Sequence, residues 1–162
     1  MEKDTAAAES RSIFIVTGRV QGVGFRPHVY RVALSCCLCG SVRNTDRGVR
    51  IEVQGAASSI ERFALRLRAD LPPLARISSL EREDVPFDPS LPESFVIEES
   101  APEGGAKGIL VSPDMAMCGR CLADMLDPAD RRFGYAFTNC TDCGPRYSIT
   151  RSLPYDRPFT SM

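Results

Sequence analysis

The sequence has no tryptophan and one histidine, His28, among its 162 residues. A single histidine excludes a His-rich metal site and catalysis by paired imidazoles. Charge of one sign is also missing. Lys and Arg number 20 against 21 Asp and Glu, a formal net charge of −1. That balance removes the bulk attraction expected of a general nucleic-acid binder. No apolar run approaches the roughly 18 residues that a membrane-spanning helix needs. The opening stretch, Met1 to Arg11, is polar and charged and lacks the apolar core of a secretory signal. The expectation is a cytoplasmic chain with no membrane or nucleic-acid partner. In that compartment disulfides are rare, and cysteines more often bind metal or sit in a core. The chain has seven of them, an odd number that suits a disulfide framework poorly.

What is present divides into two regions. The cysteines form one group at Cys36, Cys37 and Cys39 and another at Cys118, Cys121, Cys140 and Cys143. Pro- and Gly-rich sequence separates them. The expected organisation is a first domain over 11–100, a linker over 101–111 and a small second region over 112–162.

The first region reads as an ordered series of elements. Ile13 to Val20 is an apolar run that predicts a buried strand. Val29, Val32, Ala33, Cys36 and Cys37 recur at helical spacing, which puts both cysteines on a core-facing stripe. Pro27 suits the first turn of that helix and Gly40 its C-terminal exit. Val42 to Asn44 and Val49 to Val53 read as strands joined by a turn at Asp46-Arg47-Gly48. Ser58 and Glu61 have capping-box spacing. Ile60, Phe63, Ala64, Leu67 and Leu71 mark a second helical face. Ile77 to Arg82 and Ser94 to Glu98 supply further strands. The fold class is α+β, and the order βαββαβ, with a possible short extra strand, predicts a ferredoxin-like sandwich.

Between the first strand and helix lies Gly18-Arg19-Val20-Gln21-Gly22-Val23-Gly24-Phe25-Arg26. Gly22 and Gly24 allow a tight turn whose N–H groups can converge on an anion, helped by the positive end of the following helix. Arg26 adds a guanidinium fork matched to phosphate oxygens. Taken as residues alone, the loop is equally a structural turn with a surface arginine. His28 points off the Val29/Val32 stripe, so a solvent-facing or hydrogen-bonding role is expected of it. Cys36 and Cys39 have CxxC spacing, but an inward Cys36 speaks against redox chemistry.

This loop, followed by Asn44-Thr45-Asp46-Arg47-Gly48, resembles the acylphosphatase family over about residues 11–100. The resemblance implies that Gln21, Gly22, Val23, Gly24, Phe25 and Arg26 bind phosphate. It implies that Arg26 stabilises charge and that Asn44 positions a water for in-line attack at phosphorus. An acyl phosphate already has a good leaving group, so positioning and preorganised positive charge suffice without a nucleophilic Ser or Cys.

The second region carries Cys118-x2-Cys121-x18-Cys140-x2-Cys143. Two CxxC knuckles at this separation predict a structural zinc site, with a redox pair as the alternative. Gly144 suits the positive φ that such knuckles need. A region this short lacks a sizeable core, so metal binding must contribute much of its folding energy.

Around the cysteines lie Ser112-Pro113-Asp114-Met115-Ala116-Met117, Asp127-Pro128-Ala129-Asp130-Arg131-Arg132 and Gly144-Pro145-Arg146. With the variant Phe25-Arg26-Pro27-His28-Val29-Tyr30, they make nearly the whole chain resemble the N-terminal part of the hydrogenase maturation carbamoyltransferases, the HypF family. In that family an acylphosphatase-like domain precedes two zinc-finger motifs and large nucleotide-binding and transfer domains. The family converts carbamoyl phosphate and ATP to a carbamoyl adenylate. It then passes the carbamoyl group to a cysteine thiol of its partner HypE, towards the cyanide ligands of [NiFe] hydrogenase.

The resemblance implies that this chain is an N-terminal piece ending after the first zinc motif. Its four cysteines either share one zinc or pair with cysteines further on. ATP use and full transfer, which the resemblance assigns to the downstream domains, are then not expected of it. Three functions follow as expectations. The first is hydrolysis of carbamoyl phosphate as the opening step of carbamoyl transfer. The second is a stand-alone acylphosphatase acting on general acyl phosphates. The third is a non-catalytic, zinc-dependent docking module for a HypE-like partner.

Overall fold

A computed structural model describes residues 9–101, 115–152 and 159–161. The linker expected over 101–111 lies outside the described residues except at Ala101. Among these described residues nine elements follow in order: β1 (Glu9–Arg19), α1 (Phe25–Ser35), β2 (Cys39–Thr45), β3 (Gly48–Ala56), α2 (Ala57–Ala69), β4 (Arg76–Val85), β5 (Phe95–Ile97), α3 (Gly119–Leu126) and a 3₁₀ turn (Tyr147–Ile149).

The five strands form one sheet in the order β4-β1-β3-β2-β5. The first four pair antiparallel, and short β5 joins the edge parallel to β2. This is the expected βαββαβ sandwich with its extra strand. Side chains alternate across each strand. Ser12, Phe14 and Val16 of β1 and Ile51 and Val53 of β3 are therefore buried on one face. Helices α1 and α2 cover that face with Val29, Val32, Ala33, Ile60, Phe63 and Leu67. The Phe14 and Phe63 rings meet at 5.7 Å.

Several local expectations change. The apolar run of β1 is not buried on both sides. Ile13 and Ile15 lie half-buried on the open face, opposite Glu52 and Arg50 of β3 and Glu83 and Glu81 of β4. Cys36 is fully buried as predicted, but Cys37 is exposed. Helix α1 stops at Ser35, and Cys37, not Gly40, takes the left-handed exit with φ 55°. Leu38 N–H reaches back to Ala33 O and Cys37 N–H to Leu34 O, which is a Schellman closure. Leu38 is thereby carried into the core, and Cys37 is turned outward. Gly40 serves inside β2, where an added Cβ would stand 2.0 Å from the Glu52 carbonyl oxygen.

Ser58 and Glu61 make no capping box. Helix α2 begins at Ala57 with Ala56 at the N-cap, and Glu61 pairs instead with Arg82. His28 is not solvent-facing. It is buried against the end of α2, its Nε2 3.2 Å from Leu67 O, which fulfils the hydrogen-bonding half of the expectation.

Candidate functional site

The glycine loop leaves β1 through a register shift at Thr17/Gly18. Gly22 and Gly24 both take left-handed φ, 71° and 75°. Gly24 is the N-cap of α1, and among the described residues no side chain caps that end. The first helical turn, Phe25-Arg26-Pro27-His28, holds no acidic residue. The positive end of α1 is thus left open to an anion. Among the described residues, no carbonyl or side chain accepts from the N–H groups of Gly22, Val23, Gly24 or Phe25.

The six residues assigned to phosphate do different things. Val23 and Phe25 bury their side chains completely in the core, so only their main chain can face a ligand. Each burial stabilises the fold by about 1.5–3 kcal/mol and pins the loop from beneath. The Gln21 side chain is also turned inward. Its Nε2 donates to Thr45 O and Gly48 O, both at 2.9 Å. That clasp fastens the loop to the β2–β3 hairpin. Arg26 is half-buried in the first turn of α1, with Nη1 3.5 Å from Ser100 Oγ.

Asn44 lies near the end of β2, beside the clasped Thr45. It is fully buried, yet neither its Oδ1 nor its Nδ2 has a partner among the described residues. Its main-chain oxygen accepts from Ala101 N–H at 3.0 Å. The stretch at Ser100–Ala101 therefore touches both Arg26 and Asn44. Ser100 and the inward clasp of Gln21 were not legible in the sequence, where Gln21 counted only as part of the cradle.

The four cysteines of the second region converge. Their sulfurs all lie within 4.8 Å of one another. Cys118 caps α3, Cys121 sits in its first turn, and Cys140 to Cys143 form a tight turn closed by Gly144 N–H on Cys140 O at 2.8 Å. Gly144 has the expected positive φ, 78°. Sγ–Sγ separations are 3.6 Å for Cys118–Cys140 and 3.9 Å for both Cys140–Cys143 and Cys121–Cys143. A disulfide would need about 2.05 Å. The edge of a tetrahedron with sulfurs about 2.3 Å from a central zinc is about 3.8 Å. The donor set and its size fit zinc.

Crowding sets the thiols apart in acidity. Burial pushes Cys121 well above the ordinary thiol range. At Cys143 burial pushes up too, but main-chain hydrogen bonds from Cys118 and Cys140 and contacts with the neighbouring sulfurs outweigh it, and the thiol comes down to about 6. A divalent cation resolves this competition by drawing all four to thiolate. Arg146, given no role by sequence reasoning, is buried here. It donates to Met115 O at 2.8 Å, Thr138 O at 3.1 Å and Cys143 Sγ at 3.4 Å. Among the described residues no carboxylate balances its charge, which suits the net negative charge of a zinc tetrathiolate.

Comparison with known proteins reads both halves. Residues 12–97 match the acylphosphatase family and residues 117–150 the HypF finger. The acylphosphatase of Staphylococcus aureus strain Newman is 37% identical over 76 residues, 47% of this chain and 85% of that protein. The chain belongs to the acylphosphatase family. Its acylphosphatase domain and finger together match the N-terminal part of HypF. Carbamoyltransferase HypF2 of Cupriavidus necator is 49% identical over 147 residues, covering 91% of this chain. The chain spans only 18% of the length of that relative. A crystal structure of full-length HypF in the phosphate- and nucleotide-bound form is 39% identical with a TM-score of 0.83, over 99% of this chain and 21% of that one. Among the described residues of the chain, no helix is long and apolar enough to cross a membrane.

Proposed function

We propose that the acylphosphatase domain hydrolyses carbamoyl phosphate, as the first step of a HypF-type carbamoyl transfer. The main-chain N–H groups from Gln21 to Phe25 hold the phosphoryl oxygens at the open end of α1. Arg26 supplies the guanidinium that meets charge developing on them. Asn44 holds the attacking water. The water oxygen bonds to phosphorus, the bridging P–O bond breaks, and carbamate leaves while a proton passes to solvent. Cys118, Cys121, Cys140 and Cys143 hold a structural zinc that stabilises the finger and takes no part in this step. In a longer chain of this type, downstream ATP-dependent domains would consume the product and deliver the carbamoyl group to a HypE-like partner.

The observation that carries this reading is the Asn44 side chain. A buried amide with neither atom bonded costs on the order of 1–3 kcal/mol per group left unsatisfied. It sits on the strand that Gln21 fastens to the phosphate loop. A polar group kept at that cost beside an anion cradle is suited to a water that is part of the reaction.

Phosphate release from carbamoyl phosphate by the zinc-loaded chain, against the Arg26→Ala protein, tests the proposal. Release that Arg26→Ala abolishes supports it, and equal rates sink it. Equal turnover of benzoyl and carbamoyl phosphate would favour a general acylphosphatase instead.

A further inference from the structure

Among the described residues, two glycines mark where the cysteine cluster meets the acylphosphatase domain, and one of them, Gly24, is on the phosphate loop. A side-chain carbon added at Gly24 would stand 3.2 Å from Cβ of Thr141, 3.5 Å from its Cγ2 and 3.6 Å from its Oγ1. Thr141 therefore lies directly over the open face of the Gly24 α-carbon. On the other side of the knuckle, a carbon added at Gly144 would stand 3.0 Å from Cδ1 of Leu74, which packs against the core ahead of β4. Thr141 and Gly144 belong to the same tight turn. Asp142 N–H on Cys140 Sγ at 3.4 Å and Gly144 N–H on Cys140 O at 2.8 Å hold its shape.

The physical consequence runs from metal to loop. Gly24 is one of the two left-handed positions that aim the loop N–H groups. Threonine branches at Cβ and is stiff about χ1, so it makes a firm abutment. The turn that presents it is spaced by Cys140 and Cys143, whose thiols crowd one another unless a cation holds them.

We propose that Thr141 is a positioning residue for the phosphate loop, so that metal loading of the finger and phosphate binding at the loop are coupled. This rests on the phosphate and zinc readings given above. Linkage makes the coupling reciprocal: phosphate tightens zinc by the same factor by which zinc tightens phosphate.

The test titrates inorganic phosphate into the full zinc-loaded chain by calorimetry. Thr141→Gly is expected to weaken phosphate at least about fivefold, the lower end of ordinary coupling between sites, with zinc stoichiometry unchanged. Thr141→Val keeps the branched shape and is expected to retain wild-type affinity. For carbamoyl phosphate, Thr141→Gly raises KM and leaves kcat nearly unchanged. In the wild type, saturating phosphate tightens zinc against a competing chelator by the factor by which stripping zinc weakens phosphate. Equal phosphate affinity in wild type and Thr141→Gly overturns the role of Thr141 while leaving the phosphate loop standing. If the zinc-loaded wild type binds no phosphate, the loop reading falls and this inference with it.

Discussion

The Gln21 carboxamide bridges two main-chain oxygens of the β2–β3 hairpin, Thr45 O and Gly48 O, at equal distances of 2.9 Å. A side chain in the anion loop thus measures the loop's distance from the strand that carries Asn44. Replacing it with Ala takes a donor from each of these two buried carbonyls, and Gly48 O keeps the longer bond from Thr45 Oγ1 at 3.4 Å. Gln21→Ala should lower unfolding stability by about 1–3 kcal/mol in urea titration. It should also slow phosphate release, because the loop and Asn44 lose their common reference. Unchanged turnover in a folded Gln21→Ala protein would remove the clasp from the catalytic geometry.

Asn44 should show stability and activity moving in opposite directions. Asn44→Ala removes an amide that is buried without partners. Thermal unfolding should therefore show stability unchanged or raised, although truncation of most buried residues lowers it. Phosphate affinity should be largely kept. Turnover should fall about 10²–10³-fold, the scale of losing one positioned polar group at a reacting centre. Loss of phosphate affinity in parallel would make Asn44 a ligand of the ground state instead.

Metal removal should act locally at first. Chelation should release one zinc per chain and unfold the residues around α3, with the β1–β4 sheet retained, as followed by proteolysis and far-ultraviolet circular dichroism. Arg146→Met should weaken zinc against a competing chelator by about 10–100-fold, the usual cost of losing an outer partner of a metal ligand. Arg146→Lys should recover only part of it, since one ammonium cannot span Met115 O, Thr138 O and Cys143 Sγ together.

His28 predicts an acid-side loss of stability. Burial holds its pKa below the ordinary 6.5, outweighing the Leu67 carbonyl, which pulls the other way. The folded state therefore favours the neutral ring. Its contribution is complete above 6.5 and is lost as pH falls through the lower folded value. The urea midpoint should fall as pH drops below about 6.5, and His28→Gln, which keeps a donor for Leu67 O, should flatten that limb. Identical pH profiles for the two proteins would assign the loss to other groups.

The sandwich was readable because its signals are periodic. Phe14 and Val16 alternate, Ile60, Phe63 and Leu67 recur at helical spacing, and two CxxC pairs at a fixed separation leave few geometries. What was not readable depends on choices between near-equal local options. Gly40 and Cys37 could each end α1, and the burial of Leu38 decided for the cysteine. Ser58 and Glu61 have cap spacing, but the N-cap of α2 is Ala56, two residues earlier, and Arg82 of β4 takes the glutamate. His28 lies off the apolar stripe of its own helix, and its burial comes from the end of α2, which packs over it. In the site, the loop glycines, Arg26 and Asn44 lie on the elements expected. The covering of Gly24 by Thr141 joins distant parts of the chain and has no local signature.

The inward side chains of Val23 and Phe25 give the anion loop an unusual mutational character. Substitutions there would register as changes in packing, while the chemical face, made of peptide N–H groups, stays the same whichever residue supplies it. Such a face reads charge and tetrahedral shape and is blind to the group beyond the phosphorus. For the acyl phosphates proposed as substrates, preference among acyl groups would then be written in the surrounding walls, where side chains can vary without disturbing the floor.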